Sequence, residues 1–149
     1  MKKALLLLAL LFSIASTAFA QNQKQDLYKA VAKNNAAEVA ALLKAGADPN
    51  VALEIVPGFK TSYLITAANH GNLEIVKSLV GSKAQVNWQD QFHGTALMAA
   101  AGKGHKAVVE FLLSSGADAK LKDDDGKDAL AAARESGNAE VVALLQKHS

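Results

Sequence analysis

The chain has no cysteine in its 149 residues. That excludes a disulfide framework, a thiolate nucleophile and thiolate metal ligation. An oxidising compartment would be harmless to such a chain but would give it no staples. An excess of one charge is also missing. The formal +2 comes entirely from Lys2 and Lys3, because beyond them 14 basic residues face 14 acidic ones. This balance leaves no basic stripe for nucleic acid and no cationic face for a membrane. No apolar run is long enough to span a bilayer, since the one candidate is broken by Ser13, Ser16 and Thr17. Low-complexity stretches are absent too, so residues 21–149 read as one domain with a continuous core.

What is present begins with an address. Lys2 and Lys3 open the chain, Ala4 to Ala15 is apolar, and Ala18-Phe19-Ala20 offers a small-residue cleavage site before Gln21. Residues 1–20 therefore read as a cleaved secretory signal peptide. With no cysteine after it, a lipid anchor is excluded, and the exported protein is expected to stay off the membrane.

The rest says nearly the same thing three times. Leu64-Ile65-Thr66-Ala67-Ala68-Asn69-His70-Gly71-Asn72 is echoed from Leu97 to His105 and again from Leu130 to Asn138, each copy 33 residues after the last. A fixed period in the thirties marks a stacked array whose units bury a shared core. Each copy reads as a helix pair. A first helix rich in alanine follows a capping residue, Ser62, Thr95 or Asp128, whose side chain can accept from free backbone N–H groups. A second helix repeats branched and leucine side chains at helical spacing, as in Val108, Val109, Leu112 and Leu113, and ends at a glycine such as Gly116. Small side chains on the first helices let neighbouring units approach closely. A fourth copy starts near Gln25, with Leu27 at the leucine position and Asn34 where glycine stands elsewhere.

At these residues the chain resembles the ankyrin-repeat family. Gly46-Ala47-Asp48-Pro49-Asn50, Gly116-Ala117-Asp118 and the pairs Ile75-Val76, Val108-Val109 and Val141-Val142 carry the resemblance, which covers residues 25–149. It implies an all-α ankyrin-repeat solenoid of four helix-turn-helix units, about 25–57, 58–90, 91–123 and 124–149, joined by β-turn or hairpin fingers. The outer two would serve as caps with polar faces, carrying Lys29 and Lys33 at one end and Arg134, Glu135 and Lys147 at the other. The family's proline is replaced by Tyr63, Ala96 and Ala129, and its histidine by Ile65, Met98 and Ala131. The hydrogen bonds made through that histidine are therefore lost, and the array is expected to be less stable than an idealised one.

The resemblance also implies that a partner touches finger tips and the exposed face of the first helices. In this chain those positions are Phe59 and Thr61, then Gln91, Phe92 and His93, then Asp124, Asp125 and Lys127, with Asn69, His70 and Lys103 on the helices. Phe59 and Phe92 hold equivalent positions in consecutive units and should stand side by side, an aromatic anchor with a charged rim. One link is longer than the others. Asn50 to Ser62 advances twelve residues, whereas Asn87 to Thr95 and Lys120 to Asp128 advance eight. Its apolar residues Leu53, Ile55 and Val56 either face a partner or fold back over the first unit. Trp88 reads first as packing against the next hairpin and second as an interface anchor.

Catalytic constellations are missing. The four histidines lack the i, i+4 pairing of helix-borne zinc sites, and there is no Gly-x-Ser-x-Gly elbow. Gly102-Lys103-Gly104-His105 lacks the leading glycine and the hydroxyl residue of a phosphate loop. Asp123-Asp124-Asp125-Gly126 lacks the later ligands of a calcium loop and reads as a solvated turn. No cofactor or metal is expected, and the chain reads as a non-enzyme. It resembles in size and layout small exported bacterial ankyrin proteins, including antidotes against the producer's own peptidoglycan-cutting enzymes. The resemblance implies a periplasmic binding module, monomeric until bound. Its partner would be a penicillin-binding-type DD-endopeptidase or carboxypeptidase, blocked sterically. The same relatives offer a second role, stabilising an exported oxidoreductase such as a catalase. A cryptic enzyme is the remote third.

Overall fold

A computed structural model describes residues 21–148, so the leader read from residues 1–20 lies outside the described residues. Capping decides where the helices begin. Helix α1 (residues 21–32) is followed by α2 (Ala36–Lys44), then by a hairpin of β1 (Leu53–Val56) and β2 (Phe59–Thr61). After it come α3 (Tyr63–His70), α4 (Leu73–Gly81), α5 (Ala96–Lys103), α6 (Lys106–Ser114), α7 (Ala129–Glu135) and α8 (Ala139–Gln146). Ser62, Thr95 and Asp128 each accept the N–H three residues on, at 3.1, 3.2 and 2.8 Å. Asn35, Asn72 and Asn138 do the same for second helices. Each such cap is worth about 1 kcal/mol. His105, at the equivalent place, makes no cap bond. Its Nε2 instead lies 3.1 Å from the Asn69 carbonyl of the preceding unit.

The eight helices of the described residues fall into consecutive pairs and stack in two layers. First helices pack α3 on α5 on α7, and second helices pack α2 on α4 on α6 on α8. Alanine makes the first layer close: Ala67, Ala68, Ala100 and Ala133 are fully buried there. Larger residues fill the layer behind, with Ile75, Val76, Leu79, Val109, Leu112 and Leu145 sealed completely. Burying each of these side chains is worth about 1.5–3 kcal/mol, and Leu27, Leu64 and Leu97 of the first helices, equally sealed, add as much each. Asn34 turns between α1 and α2 with φ 59°, in the left-handed region where Gly71, Gly104 and Gly137 stand in later units.

The fold is mostly helical, but it is not purely so. The long link between Asn50 and Ser62 forms an antiparallel hairpin with Leu53 opposite Thr61, Glu54 opposite Lys60 and Val56 opposite Phe59. A bulge lies between Glu54 and Val56. Hairpin strands form only here among the described residues; the two shorter links are turns. The missing family prolines are partly compensated. Tyr63, standing at one such position, is fully buried and its hydroxyl donates to the Lys24 carbonyl of α1 at 3.0 Å.

Candidate functional site

The fingers are built from carboxylates that close their own turns. Asp90 Oδ1 accepts the N–H groups of Phe92 and Gly94 at 2.9 and 2.8 Å. One unit on, Asp123 Oδ1 accepts those of Asp125 and Lys127 at 3.0 and 2.9 Å. Asp123 is thereby occupied by its own backbone. Of the acidic run, Asp124 and Asp125 are exposed, and Asp123 is half-buried.

Neighbouring fingers are tied together. Lys60 N–H donates to Gln91 Oε1 at 3.2 Å, Asp124 N–H donates to the Phe92 carbonyl at 3.0 Å, and Gln89 Nε2 donates to the Lys122 carbonyl at 3.3 Å. Deeper in, Asn50 bonds the Lys83 carbonyl and the Gln85 N–H, and Asn87 bonds the Gly116 carbonyl and the Asp118 N–H. Sequence alone did not single out these asparagine ties. Their signal was there, because both asparagines end a link's first turn at equivalent positions.

On this frame the aromatic pair stands as expected. The Phe59 and Phe92 rings are 5.7 Å apart, tilted by 47°, a favourable aromatic arrangement. Phe92 is 53% exposed, with Ile55 at 45% and Val56 at 57%. These are the exposed large apolar side chains of the described residues, and they sit on adjacent fingers. His93 holds the left-handed region at φ 58° and places Nδ1 2.6 Å from Asp124 Oδ1. Lys127 pairs with Glu135 at 2.7 Å, and that hydrogen-bonded carboxylate raises its pKa. Gln91 is exposed at the tip, and Asn69, His70 and Lys103 are exposed at the ends of α3 and α5.

Two expected contact residues are corrected. Leu53 and Thr61, opposite each other in the hairpin, are both buried at 5% and 4% exposure. The hairpin register sends this pair inward, and the bulge between Glu54 and Val56 interrupts the alternation, so that Ile55, two residues beyond Leu53, stays outside with Val56. The long link therefore does both things at once, with Leu53 folding over the first unit and the hairpin end facing out. Trp88 is half-buried. Among the described residues no cluster of His, Asp or Glu could hold a metal, and no helix is long and apolar enough to cross a membrane.

A family model for ankyrin repeats, in three copies, matches residues 64–149. The chain belongs to the ankyrin-repeat family. Ankyrin repeats are general protein-protein interaction modules and typically non-enzymatic. The α1–α2 pair lies upstream of the match, yet it joins the ankyrin stack through α2 on α4 and through Tyr63. No curated protein matches the chain significantly in sequence.

Proposed function

We propose that this ankyrin protein is an exported binding module that acts on another exported protein by covering it. The observation that carries the reading is the apolar surface on two adjacent fingers: Phe92, exposed and packed at a tilt against the half-buried Phe59, with Val56 opposite Phe59 and Ile55 exposed on the same hairpin. Rigid, hydrogen-bonded fingers present these side chains with little ordering left to lose on binding. Lys60, His93, Asp124 and Asp125 form a polar rim of both signs, as interface anatomy asks. The α1–α2 pair is read as a fourth, capping unit.

The best-fitting role is self-protection. The basic start, apolar run and Ala18-Phe19-Ala20 site point to the periplasm, where a steric antidote would dock beside the cleft of a peptidoglycan DD-endopeptidase or carboxypeptidase and keep substrate out. No chemistry is required of the ankyrin protein. Capture from a periplasmic extract of the producer, with Phe59→Ala/Phe92→Ala as control, tests the face. The captured hydrolase should lose activity with the protein and regain it with the double variant. An unchanged catch with the double variant rejects the face. A captured partner that gains activity makes the protein a stabilising factor instead.

A further inference from the structure

The ties between fingers run in one direction and stop. The third finger bonds the second through Asp124 and Phe92, and the second bonds β2 through Gln91 and Lys60. Strand β2 in turn pairs with β1. Beyond β1 there is nothing: its outer edge makes no backbone hydrogen bond to any other described element, and the sheet has two strands. A row of linked fingers thus ends in an open strand edge.

That edge is not flush with the surface. A cleft of about 280 Å³ runs beside it, walled by Lys24, Gln25 and Tyr28 of α1 and by Leu53, Glu54 and Ile55 of β1. Consecutive strand residues point to opposite faces. Three in a row line this cleft, as they do along a strand's edge, and the bulge after Glu54 loosens the alternation there. The volume lies at the lower end of the roughly 300–1,000 Å³ of small-molecule sites, and the lining mixes charge, amide, phenol and aliphatic groups. Such a cleft suits the side chains of an extended peptide better than a cofactor.

Proteins usually guard an open edge with lysine, proline, a bulge or a covering element. Strand β1 has the bulge and its shortness, and α1 stands across the cleft without a backbone bond to it. The strand contains no lysine or proline, and its one charged side chain, Glu54, is turned back to accept the Gly58 N–H at 2.8 Å. A two-stranded hairpin is also marginal by itself and gains from a third strand.

We infer that β1 is a strand-addition site: an extended segment of the protein partner pairs its backbone with the outer edge of Leu53–Val56 and sets a side chain into the cleft against α1. Backbone pairing gives the affinity in this mode, and the side-chain cleft gives the choice of sequence. With four residues in β1, the paired stretch is short, and the neighbouring Phe59/Phe92 surface holds the folded part of the same partner. The inference rests on the protein-binding reading of the fingers.

The probe is a displayed library of random twelve-residue peptides selected on the purified protein, followed by synthesis of the best binder. Expected are binders with apolar residues at alternate positions. N-methylation at one parity should weaken binding about tenfold or more while the other parity leaves it unchanged, because only one edge of the peptide faces β1. Ile55→Lys, at an exposed position, should weaken it as much, and amide exchange at residues 53–56 should slow in the complex. Loss irrespective of parity, indifference to Ile55→Lys, or no enrichment overturns the inference. So does self-association in the ultracentrifuge that Ile55→Lys abolishes, which would give the edge to a second copy. The two readings fail separately. Peptide binding at β1, with partner capture indifferent to Phe59→Ala/Phe92→Ala, keeps the edge and sinks the finger surface. Failed selection, with capture lost in that double variant, does the reverse.

Discussion

Tyr63 reaches out of α3 to the backbone of α1, its hydroxyl donating to the Lys24 carbonyl at 3.0 Å. The bond ties the first helix to the stack from a position where the family's pattern has proline. Burial, and secondarily the negative charge of Asp48, push the Tyr63 hydroxyl up to about 12 from an ordinary 10.0. The folded state therefore favours the protonated phenol. That preference is fully present below pH 10 and is lost as pH rises toward 12. A shift of this size corresponds to about 2–3 kcal/mol of stability. In urea unfolding followed by circular dichroism, the wild type should weaken across this window more steeply than Tyr63→Phe. Every other group is common to both proteins and cancels in the difference, so parallel curves would refute the assignment.

Lys83 stands at φ 72°, where Gly46 and Gly116 stand in the neighbouring units. The left-handed region costs a residue with a Cβ about 1–2 kcal/mol. Glycine would relieve that strain but adds about 0.4–1 kcal/mol of chain entropy to the unfolded state. The relief outweighs the added entropy. Lys83→Gly should stabilise the protein by about 0.5–1 kcal/mol, read as an upward shift of the denaturant midpoint at constant slope. The Asn50 tie survives, because it uses the Lys83 carbonyl.

Much of this architecture was legible in the sequence because it depends on local chemistry. Ser62, Thr95 and Asp128 announce helix starts, Asn34 occupies a glycine position in a glycine's conformation, and the spacing of Phe59 and Phe92 places one ring beside the other. The parts that stayed hidden depend on neighbours brought near only by folding. Leu53 and Ile55 look alike in an apolar link, and alternation alone would put both on one face; the bulge between Glu54 and Val56 leaves the first inside and the second out. The Asp123 carboxylate looks free within an acidic run, yet its own backbone holds it. His105 stands where Asn72 and Asn138 cap their helices, and its ring lies instead against the Asn69 carbonyl of the unit before it.

The asparagine ties allow a test of where stacking ends. Asn87 joins the Gly116 carbonyl at 3.1 Å to the Asp118 N–H at 2.8 Å. Asn87→Ala leaves both backbone groups without that partner and should cost about 1–3 kcal/mol. Lys120 holds the equivalent place in the third finger, and no further unit stands beyond it among the described residues. Lys120→Asn should therefore change stability by less than about 0.5 kcal/mol. Thermal unfolding of the two variants side by side decides it. A large gain from Lys120→Asn would mean that the asparagine acts within its own turn.

His93 puts stability and binding in opposition. It holds φ 58° at the finger position where the next unit has Gly126 at φ 73°. Histidine tolerates this region better than most residues, so the strain is near the low end, about 1 kcal/mol. Its pair with Asp124 is exposed, at 61% and 53% for the two side chains, and such pairs contribute about 0–1 kcal/mol. The pair does little more than offset the strain, so stability alone gives no reason for a histidine there. Its remaining role is positional: the imidazole fixes the third finger's acidic tip beside Phe92. His93→Gly should leave the unfolding midpoint unchanged or slightly raised while weakening partner capture several-fold. Asp124→Asn should weaken capture as well, by removing the carboxylate without touching the backbone. If His93→Gly binds the partner as wild type does, the His93–Asp124 pair is ornament on the face and the aromatic surface alone carries recognition.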